Sequence, residues 1–347
     1  MFQRLTFVVA DVSQSAGMRI TAVSVLLIFV SCASAPAARS NATFAVALPA
    51  PPEPRAASVV VVTLDGTRWQ DVFFGKEMPT LHRWMTTDGV AIGAPGHGEA
   101  WASGPNYVSL PGYTEIFTGR PSACQSNACG AIGTPTLVDE ILDCGGDAAV
   151  VSSWENIARA ATRDPSRTLL SAGRHETGRV DGLDAALLAR GRAANPWPGG
   201  DDYRADALTA EVALHLVESH QPRFLFVGLG DTDENAHHGD RAGYLASLRA
   251  ADHFLGALDE RVNDDTVVFV TADHGRSDEF RDHGAAWPES GRVWMVARGA
   301  AIAARGALDV NVRLADLAPT IRCLLGMPRD ASPDAGRSIA PICDAPE

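Results

Sequence analysis

Three apolar runs that each end in aspartate constrain the fold of this 347-residue chain most strongly. They are SVVVVTLD (58–65), FLFVGLGD (224–231) and TVVFVTAD (266–273). A short, continuous apolar run bounded by polar residues is typical of a strand that is buried on both faces of a parallel sheet. Ligands of open α/β sheets bind beyond the carboxyl ends of the strands. The three terminal aspartates therefore indicate where the chemistry of this chain should lie.

The rest of the chain alternates between strand and helix patterns. Further strands are predicted at 148–154 and 292–299, and helices at 78–87, 135–143, 202–219, 240–261 and 313–325. This alternation predicts an α/β fold with a doubly wound, mostly parallel sheet sandwiched by helices. No internal repeat and no Pro/Gly linker follow residue 55. We therefore expect residues 57–347 to form a single catalytic domain, with a small cap around 155–203 as an option.

Two of the predicted helices carry more specific signals. Thr134-Pro135 before LVDEIL supplies a capping residue and a proline suited to the first helical position. The helix at 240–261 has apolar residues at 4-3-4-3 spacing, which predicts one buried stripe. The stripe consists of Tyr244, Leu248, Ala251, Leu255 and Leu258.

The N-terminal segment has the pattern of an export signal. An apolar run at 20–30 follows Met18-Arg19 and precedes small residues, and it is too short to span a bilayer. We expect residues 1–32 to be a signal segment, with Met18 as an alternative start, and the Pro/Ala-rich residues 33–56 to be a tether. The sequence before Cys32 resembles a lipobox, so lipid anchoring at Cys32 and simple cleavage nearby both stay open. The protein is predicted to be periplasmic, secreted or lipid-anchored in a bacterium.

Export would permit disulfides. The chain has six cysteines, and Cys323 with Cys343 is the pair that we expect near the C-terminus. The sequence does not decide the connectivity among Cys124, Cys129 and Cys144.

The overall charge limits the partners that this chain can bind. Asp and Glu number 42 against 29 Lys and Arg, the formal net charge is −13, and no run of basic residues is present. Nucleic acid and anionic membrane surfaces are therefore excluded as electrostatic partners, because the chain has no basic patch for them. The membrane could be reached only through a lipid on Cys32. Because the chain is negatively charged overall, a small anionic substrate could bind only where the local charge of the protein is positive.

Histidines follow the acidic strand ends at spacings that suit a metal site. Asp233 precedes His237 by four residues just beyond one strand, Asp273 precedes His274 at another, and Asp65 ends the first. Zinc prefers imidazole nitrogen and carboxylate oxygen ligands. Each signal alone is weak, because an aspartate at a strand end commonly caps a helix. Three such elements together indicate a metal site, with Asp231 competing with Asp233 and His238 with His237.

The segment SLPGYTEIFTG contains the candidate nucleophile. Pro111 can start a helix whose N-terminal dipole points at Ser109. A hydroxyl in that place can bind a metal ion, lose its proton and attack phosphorus. On this segment alone, a simple N-cap is the commoner role for the serine.

Taken together, the motifs VVVVTLDGTRW, SLPGYTEIFTG, DTDENAHHG, TADHG and the later DHG resemble the alkaline phosphatase superfamily. The resemblance extends from about 58 to 340. The nearest branches are those of the nucleotide pyrophosphatases/phosphodiesterases and of the phosphoglycerate mutases. The resemblance implies a doubly wound α/β sandwich that holds two divalent metal ions, usually Zn²⁺, at the strand ends.

The resemblance also implies roles for individual residues. One ion would be bound by Asp65, Asp273 and His274. The other would be bound by Asp233, His237 and His283, the last of which is the only histidine after His274. Ser109 would lie between the ions as the nucleophile, and Asn127 would hydrogen-bond a phosphoryl oxygen, although its offset from Ser109 is shorter than is usual in that branch.

These roles predict an exported two-metal phosphohydrolase that cleaves small phosphate mono- or diesters through a phosphoserine on Ser109. The alternatives are a catalytically silent metal-binding protein and a member directed at sulfate or phosphonate esters. The sulfatase signature has arginine two residues after its proline, where this chain has Tyr113, which argues against formylglycine at Ser109. The phosphoglycerate mutases of the superfamily carry a large inserted domain and work in the cytoplasm, so we expect a different activity here.

Overall fold

An eight-stranded sheet forms the centre of the computed structural model, which describes residues 54–343. Its strand order is β10-β2-β9-β7-β1-β6-β4-β5, and a second, three-stranded sheet has the order β11-β3-β8. The strands are β1 Ser58–Leu64, β2 Gly89–Ile92, β3 Ala100–Trp101, β4 Ala148–Ser152, β5 Leu169–Ala172, β6 Phe224–Leu229, β7 Thr266–Thr271, β8 Arg292–Val293, β9 Met295–Arg298, β10 Gly306–Ala307 and β11 Val312–Arg313.

Helices flank the sheet on both faces. They are α1 Trp69–Phe74, α2 Pro79–Arg83, α3 Ser109–Thr118, α4 Leu137–Asp143, α5 Ala158–Ala161, α6 Ala185–Ala193, α7 Asp206–Ser219, α8 Asp231–His237, α9 Arg241–Asp259, α10 Leu317–Leu324 and α11 Ala340–Cys343. A π-helical turn covers Trp84–Asp88, and 3-10 turns cover Glu155–Ile157, Pro288–Gly291 and Leu314–Asp316.

The central strand β1 separates two hydrophobic cores. Val59 and Val61 face the core that contains α3, α4 and α10, whereas Val60 and Val62 face the core that contains α2, α7 and α9. Alternate side chains of a strand point to opposite faces, so a strand covered on both sides must be apolar throughout. In the large sheet only β9 runs antiparallel to its neighbours, β7 and β2. The predicted fold class, a mostly parallel α/β sheet sandwiched by helices, is confirmed.

Local predictions had mixed outcomes. All five residues of the predicted stripe on α9 are buried. The predicted start of α4 was wrong by two residues, because Thr136 caps the helix in a capping box with Asp139. The run 292–299 is not one strand: β8 joins the small sheet, β9 joins the large one, and Trp294 lies between them.

The predicted segments outside the catalytic region fall largely on undescribed residues. The signal segment 1–32, with Cys32, and most of the tether 33–56 lie outside the described residues. Of the tether's last residues, Arg55 donates to the carbonyls of Ile342 and Ala301, and Ala56 is buried. The segment 155–203 contributes strand β5 to the large sheet, and its helix α6 contacts α7.

Two disulfides are present in the described part of the chain. One joins Cys323 to Cys343, as predicted, and the other joins Cys124 to Cys129. Within residues 54–343, no helix combines the length and the apolar character needed to cross a membrane.

Candidate metal centre

The sheet topology brings the three aspartate-terminated strands side by side. Strand β1 pairs in parallel with β6 on one side and with β7 on the other. Asp65 follows β1, and Asp273 and His274 follow β7. Helix α8 is seven residues long, begins directly after β6 and contains both Asp233 and His237. Side chains distant in sequence therefore converge at one edge of the sheet.

The first half of the cluster consists of Asp65, Asp273 and His274, all buried. The Nε2 atom of His274 lies 3.4 Å from Asp65 Oδ1 and 3.4 Å from Asp273 Oδ2. The other ring nitrogen of His274 lies 2.8 Å from the carbonyl of Gly275. With Nδ1 protonated to donate to that carbonyl, Nε2 presents its lone pair to the carboxylates.

The second half consists of Asp233, His237 and His283. His237 Nε2 lies 3.1 Å from Asp233 Oδ2, and His283 Nε2 lies 3.7 Å from Asp233 Oδ1 and 3.0 Å from His237 Nε2. The carbonyl of Tyr107 orients the His283 ring through Nδ1 at 2.7 Å. The two halves are continuous, because the rings of His274 and His283 stack with their centroids 4.0 Å apart.

The donor set of the cluster fits divalent metal ions. Ligand atoms of Asp65, Asp273 and His274 lie within 4.8 Å of one another, as do those of Asp233, His274 and His283. Within residues 54–343, the buried Asp273 Oδ2 atom accepts no hydrogen bond. A buried carboxylate oxygen without a donor is costly unless a cation satisfies it. Imidazole and carboxylate together are the ligand types that zinc binds.

The pKa shifts within the cluster agree with this fit. Burial, followed by the charges of Asp273 and Asp233, raises the pKa of Asp65 well above its usual range. Burial and the Asp233 charge raise the pKa of Asp273 to about 7. Burial lowers the pKa of His274 to about 4 and that of His283 to about 3. Both imidazoles are therefore neutral at pH 7 and can act as ligands, whereas the mutual repulsion of the carboxylates and their burial raise the pKa values of Asp65 and Asp273.

Asp233 behaves differently from the other two carboxylates. Burial raises its pKa, but the charge of Arg276 and a hydrogen bond from His237 outweigh burial and hold this pKa well below its usual range. The hydrogen bond to Asp233 in turn raises the pKa of His237. Asp233 is thus the carboxylate of the cluster that forms an ion pair with an arginine.

Ser109 lies at the mouth of the cluster. Its Oγ atom is 3.4 Å from Asp65 Oδ1 and 3.3 Å from His274 Nε2. Helix α3 begins at Ser109 itself, with Val108 as N-cap, so Pro111 does not start the helix and Ser109 is not the cap. The helix N-terminus therefore presents the Ser109 hydroxyl to the cluster.

Asn127 is held beside the nucleophile by a short loop. Its Oδ1 atom accepts a hydrogen bond from the Leu110 N–H at 2.8 Å. The Cys124–Cys129 disulfide closes the loop that contains it. Because Oδ1 is occupied, the amide NH₂ of Asn127 is the group that remains to donate to a ligand.

The structure separates the competing candidates. Asp231 accepts hydrogen bonds from the Tyr203 hydroxyl at 2.6 Å and from the Asp206 N–H at 3.2 Å, away from the cluster. His238 is exposed and packs on Trp197, with ring centroids 4.5 Å apart. The residues that come together are Asp65, Ser109, Asn127, Asp233, His237, Asp273, His274 and His283.

A cavity of about 160 Å³ opens next to Ser109. It is lined by Asp65, Ser109, Tyr113, Asn127, Ser152, Trp154, Tyr203, Gly228, Gly230, Asp233, Glu234, His237 and His283. None of these lining residues is Lys or Arg. The only positive charge that this wall can present is therefore histidine or a bound metal ion.

Sequence reasoning missed two residues that act on the cluster. The Tyr113 hydroxyl donates to Asp65 Oδ2 at 2.8 Å, and Arg276 contacts the Asp233 carboxylate. Tyr113 lies one helical turn after Ser109, and this spacing could have predicted that the two side chains lie on the same face of the helix. Arg276 gives no such signal, because only the folded loop after β7 brings its side chain to Asp233.

A model of the Metalloenzyme superfamily matches residues 202–329, which include Asp233, His237, Asp273, His274 and His283. Among curated proteins, the chain is 28% identical over 161 residues to a 2,3-bisphosphoglycerate-independent phosphoglycerate mutase of Thermomicrobium roseum, covering 39% of this chain and 30% of that protein. It is 26% identical over 118 residues to a phosphopentomutase of Alkaliphilus oremlandii, covering 33% and 29%. The matches span less than a third of either mutase.

Solved structures match over most of the described chain. Alkaline phosphatase PafA has a TM-score of 0.61 at 13% identity, covering 84% of this chain and 99% of that one. A phosphonate monoester hydrolase of Agrobacterium radiobacter has a TM-score of 0.57 at 15% identity, covering 84% and 78%. A 2-O GAG sulfatase has a TM-score of 0.57 at 12% identity, covering 83% and 74%. At sequence identities this low, the structural similarity is evidence for a shared fold and not for a shared activity.

The phosphodiesterase branch stays a prediction, because these neighbours include phosphatases, sulfatases and a phosphonate hydrolase. The chain has the alkaline phosphatase-like fold, and its C-terminal half contains the segment that matches the Metalloenzyme superfamily model.

Proposed function

We propose that this protein is a metal-dependent phosphoric ester hydrolase that uses Ser109 as its nucleophile. One observation carries the proposal: the Ser109 hydroxyl lies within 3.4 Å of Asp65 Oδ1 and His274 Nε2, at the start of a helix and beside a cavity. A serine whose only role was to cap a helix would not require two potential metal-ligand atoms, Asp65 Oδ1 and His274 Nε2, close to its hydroxyl.

Two divalent ions, which we propose to be Zn²⁺, would be bound by the two halves of the cluster. When bound, they supply positive charge that favours ionisation of a hydroxyl and stabilises charge on phosphoryl oxygens. Asp65, Asp273 and His274 would hold one ion. Asp233, His237 and His283 would hold the other.

The chain's own groups then define the reaction. The Ser109 Oγ–phosphorus bond forms while the bond from phosphorus to the leaving oxygen breaks, and the hydroxyl proton ends on the departing alcohol. Water next attacks phosphorus, releases the phosphoryl group and returns a proton to Oγ. In this proposal the Ser109 N–H and the Asn127 amide would donate to phosphoryl oxygens, as in an oxyanion hole.

The cavity wall favours a substrate with a single negative charge. A phosphate monoester carries up to two charges, whereas a diester carries one. The described lining has no Lys or Arg to meet a second charge, and the side chain of Glu234 would repel it. Trp154 and Tyr203 offer aromatic surface to a second ester group instead. We therefore propose diesters as the preferred phosphate esters.

Phosphonate monoesters and sulfate esters are the second candidate substrates. They also carry one charge, and neighbours of this fold include a phosphonate monoester hydrolase and a sulfatase. Because the mutases match the chain in sequence, phosphoryl transfer to an acceptor other than water is also open. A silent metal-binding protein would bind the ions and turn over none of these esters.

We also propose that the protein acts outside the cytoplasm. The two disulfides support this proposal, because such bonds persist in oxidising compartments.

The test compares four aryl esters on the zinc-loaded protein: a phosphate diester, a phosphate monoester, a phosphonate monoester and a sulfate. We expect the diester to have the highest kcat/KM. Ser109→Ala should lower kcat for this substrate at least about a thousandfold, because loss of a nucleophile removes the covalent route. Its zinc content should stay the same.

Thr114→Ala is the matched control. It removes a hydroxyl from the same helix that, within residues 54–343, bonds only to the Leu110 carbonyl, at 2.8 Å. Its turnover should equal that of the native protein. Full turnover by Ser109→Ala would exclude the serine as nucleophile, and the absence of turnover of all four esters would favour the silent protein.

A further inference from the structure

Arg276 is buried within the candidate centre, only 2% exposed, two residues after His274. Its Nη2 atom contacts Asp233 Oδ1 and also donates to the main-chain carbonyl of Asp233 at 3.2 Å. The same Oδ1 atom lies 3.7 Å from His283 Nε2. The guanidinium thus meets Asp233 on the carboxylate oxygen that is nearest to His283.

The other end of the guanidinium is fixed by the backbone. Its Nη1 atom donates to the carbonyl of Arg281 at 2.6 Å and, more weakly, to that of Phe280 at 3.4 Å. These residues precede His283 in the loop after β7. Arg276 therefore connects Asp233 to the segment that carries His283, and its position is determined from both sides.

This contact makes the two halves of the centre electrostatically unequal. When both are ionised, Asp65 and Asp273 together carry −2, and within residues 54–343 neither forms an ion pair with Lys or Arg, so the Arg276 charge acts on Asp65 only at longer range. Asp233 carries −1 and the adjoining Arg276 carries +1, so that their sum is zero. A divalent ion gains less from a carboxylate that a buried cation already neutralises, and it is repelled by that cation.

We propose that Arg276 makes the Asp233/His237/His283 half the weaker metal site, so that the protein takes up its two ions in sequence. The Asp65/Asp273/His274 half fills first. The second ion binds at higher free metal concentration, because it must bind against the guanidinium charge. This inference rests on the proposed two-ion centre but not on the reaction that the centre performs.

The first test uses the native chain, stripped of metal and titrated with zinc alone in a calorimeter. We expect two binding steps whose dissociation constants differ by about tenfold or more, as one nearby unit charge can produce. Two equal steps would overturn the proposal, and so would the uptake of no ion, which would also remove the two-ion centre.

Variants identify the cause of the difference. Arg276→Gln should tighten the second step about tenfold or more and change the first step less, since the charge beside Asp233 is gone and the amide can still donate. Arg276→Lys keeps the charge and should retain the separation. Asp233→Asn should weaken the second step more than the first, because it removes a ligand from the second site alone.

Arg322→Gln is the matched control, because Arg322 is also a buried arginine in an ion pair, with Glu140. It should lower thermal stability without changing either zinc step. An unchanged or weaker second step in a folded Arg276→Gln protein would show that Arg276 does not oppose the second ion. Two separated steps in a protein that hydrolyses no ester would contradict only the proposed function.

Discussion

At the residue scale, Asp65 shows how one carboxylate can serve two purposes. Tyr113 donates to its Oδ2 atom at 2.8 Å, while its Oδ1 atom lies 3.4 Å from both Ser109 Oγ and His274 Nε2. The tyrosine is 2% exposed, so no bulk water can replace its hydroxyl. Tyr113 is therefore a positioning residue that directs Oδ1 toward the cluster.

Tyr113→Phe tests this role. Without the hydroxyl, Asp65 loses its orienting donor, and loss of such a partner typically weakens metal binding about tenfold to a hundredfold. We expect this loss in the affinity for the first zinc ion, measured by competition with a chromogenic chelator.

The control for this variant is Tyr244→Phe. Tyr244 is also buried, but its hydroxyl accepts a hydrogen bond from the Arg68 N–H at 3.3 Å. That variant should bind zinc like the native protein. If both variants, or neither, lost zinc affinity, the specific role of Tyr113 would be refuted.

The sequence could predict the role of some residues of the site but not of others. Asp233 and His237 lie four apart on one short helix, and Asp273 and His274 are adjacent, so local spacing indicated both pairs. The contact between Arg276 and Asp233 spans 43 positions and depends on how the loop after β7 folds. No local pattern encodes it, so the sequence alone could not predict it.

At the element scale, the position of α3 depends on a close approach to the end of β7. A methyl group added at Gly112 would lie 2.3 Å from the carbonyl oxygen of Asp273. Backbone atoms at this distance cannot yield without moving the helix or the strand end. Glycine at this position therefore lets Ser109 and Asp273 belong to one site.

We expect Gly112→Ala to lower turnover and zinc affinity together, because the helix that carries Ser109 must move away from Asp273. Alanine would otherwise stabilise a helix by about 1 kcal/mol relative to glycine, so a loss would report the steric clash. Turnover, zinc content and thermal unfolding of the same preparation give the measurement.

Gly133→Ala provides the comparison, because an added methyl group there meets no atom within 4 Å. It should change none of the three quantities. A Gly112→Ala protein with native turnover would show that the close approach has no bearing on the site.

Elements were predictable where their signal is local. The continuous apolar runs marked β1, β6 and β7, and the stripe at 240–261 marked α9. The division of 292–299 between two sheets was missed, because residues 293–297 are apolar throughout and Trp294 resembles a strand residue. The Thr136 cap was missed for a different reason: both Thr134 and Thr136 are acceptable caps, and the Asp139 partner decides between them.

At the scale of the whole molecule, the acidity of the chain no longer conflicts with an anionic substrate. The net charge is −13, and the candidate centre itself adds three aspartates. Two bound dications would give this cluster four positive charges against three negative ones, before Arg276 is counted. The local reversal of charge that a phosphate ester requires would thus come from the metal ions.

The strand order of the large sheet could not be predicted from the sequence. Parallel pairing joins β1 to strands that lie more than 150 residues further along the chain, and such pairing has no local signature. The class of fold could be predicted because the apolar strand pattern and the strand–helix alternation both require a sheet covered on two faces.

The central claim is that Ser109 carries the phosphoryl group during turnover. The most direct measurement is mass spectrometry of the Ser109 peptide from the zinc-loaded native protein, acid-quenched while it hydrolyses an aryl phosphate diester. We predict that the phosphoryl fragment of the substrate is attached to Ser109, with no such adduct when zinc has been chelated. Steady turnover with an unmodified Ser109 peptide, or with the fragment on another residue, would contradict it.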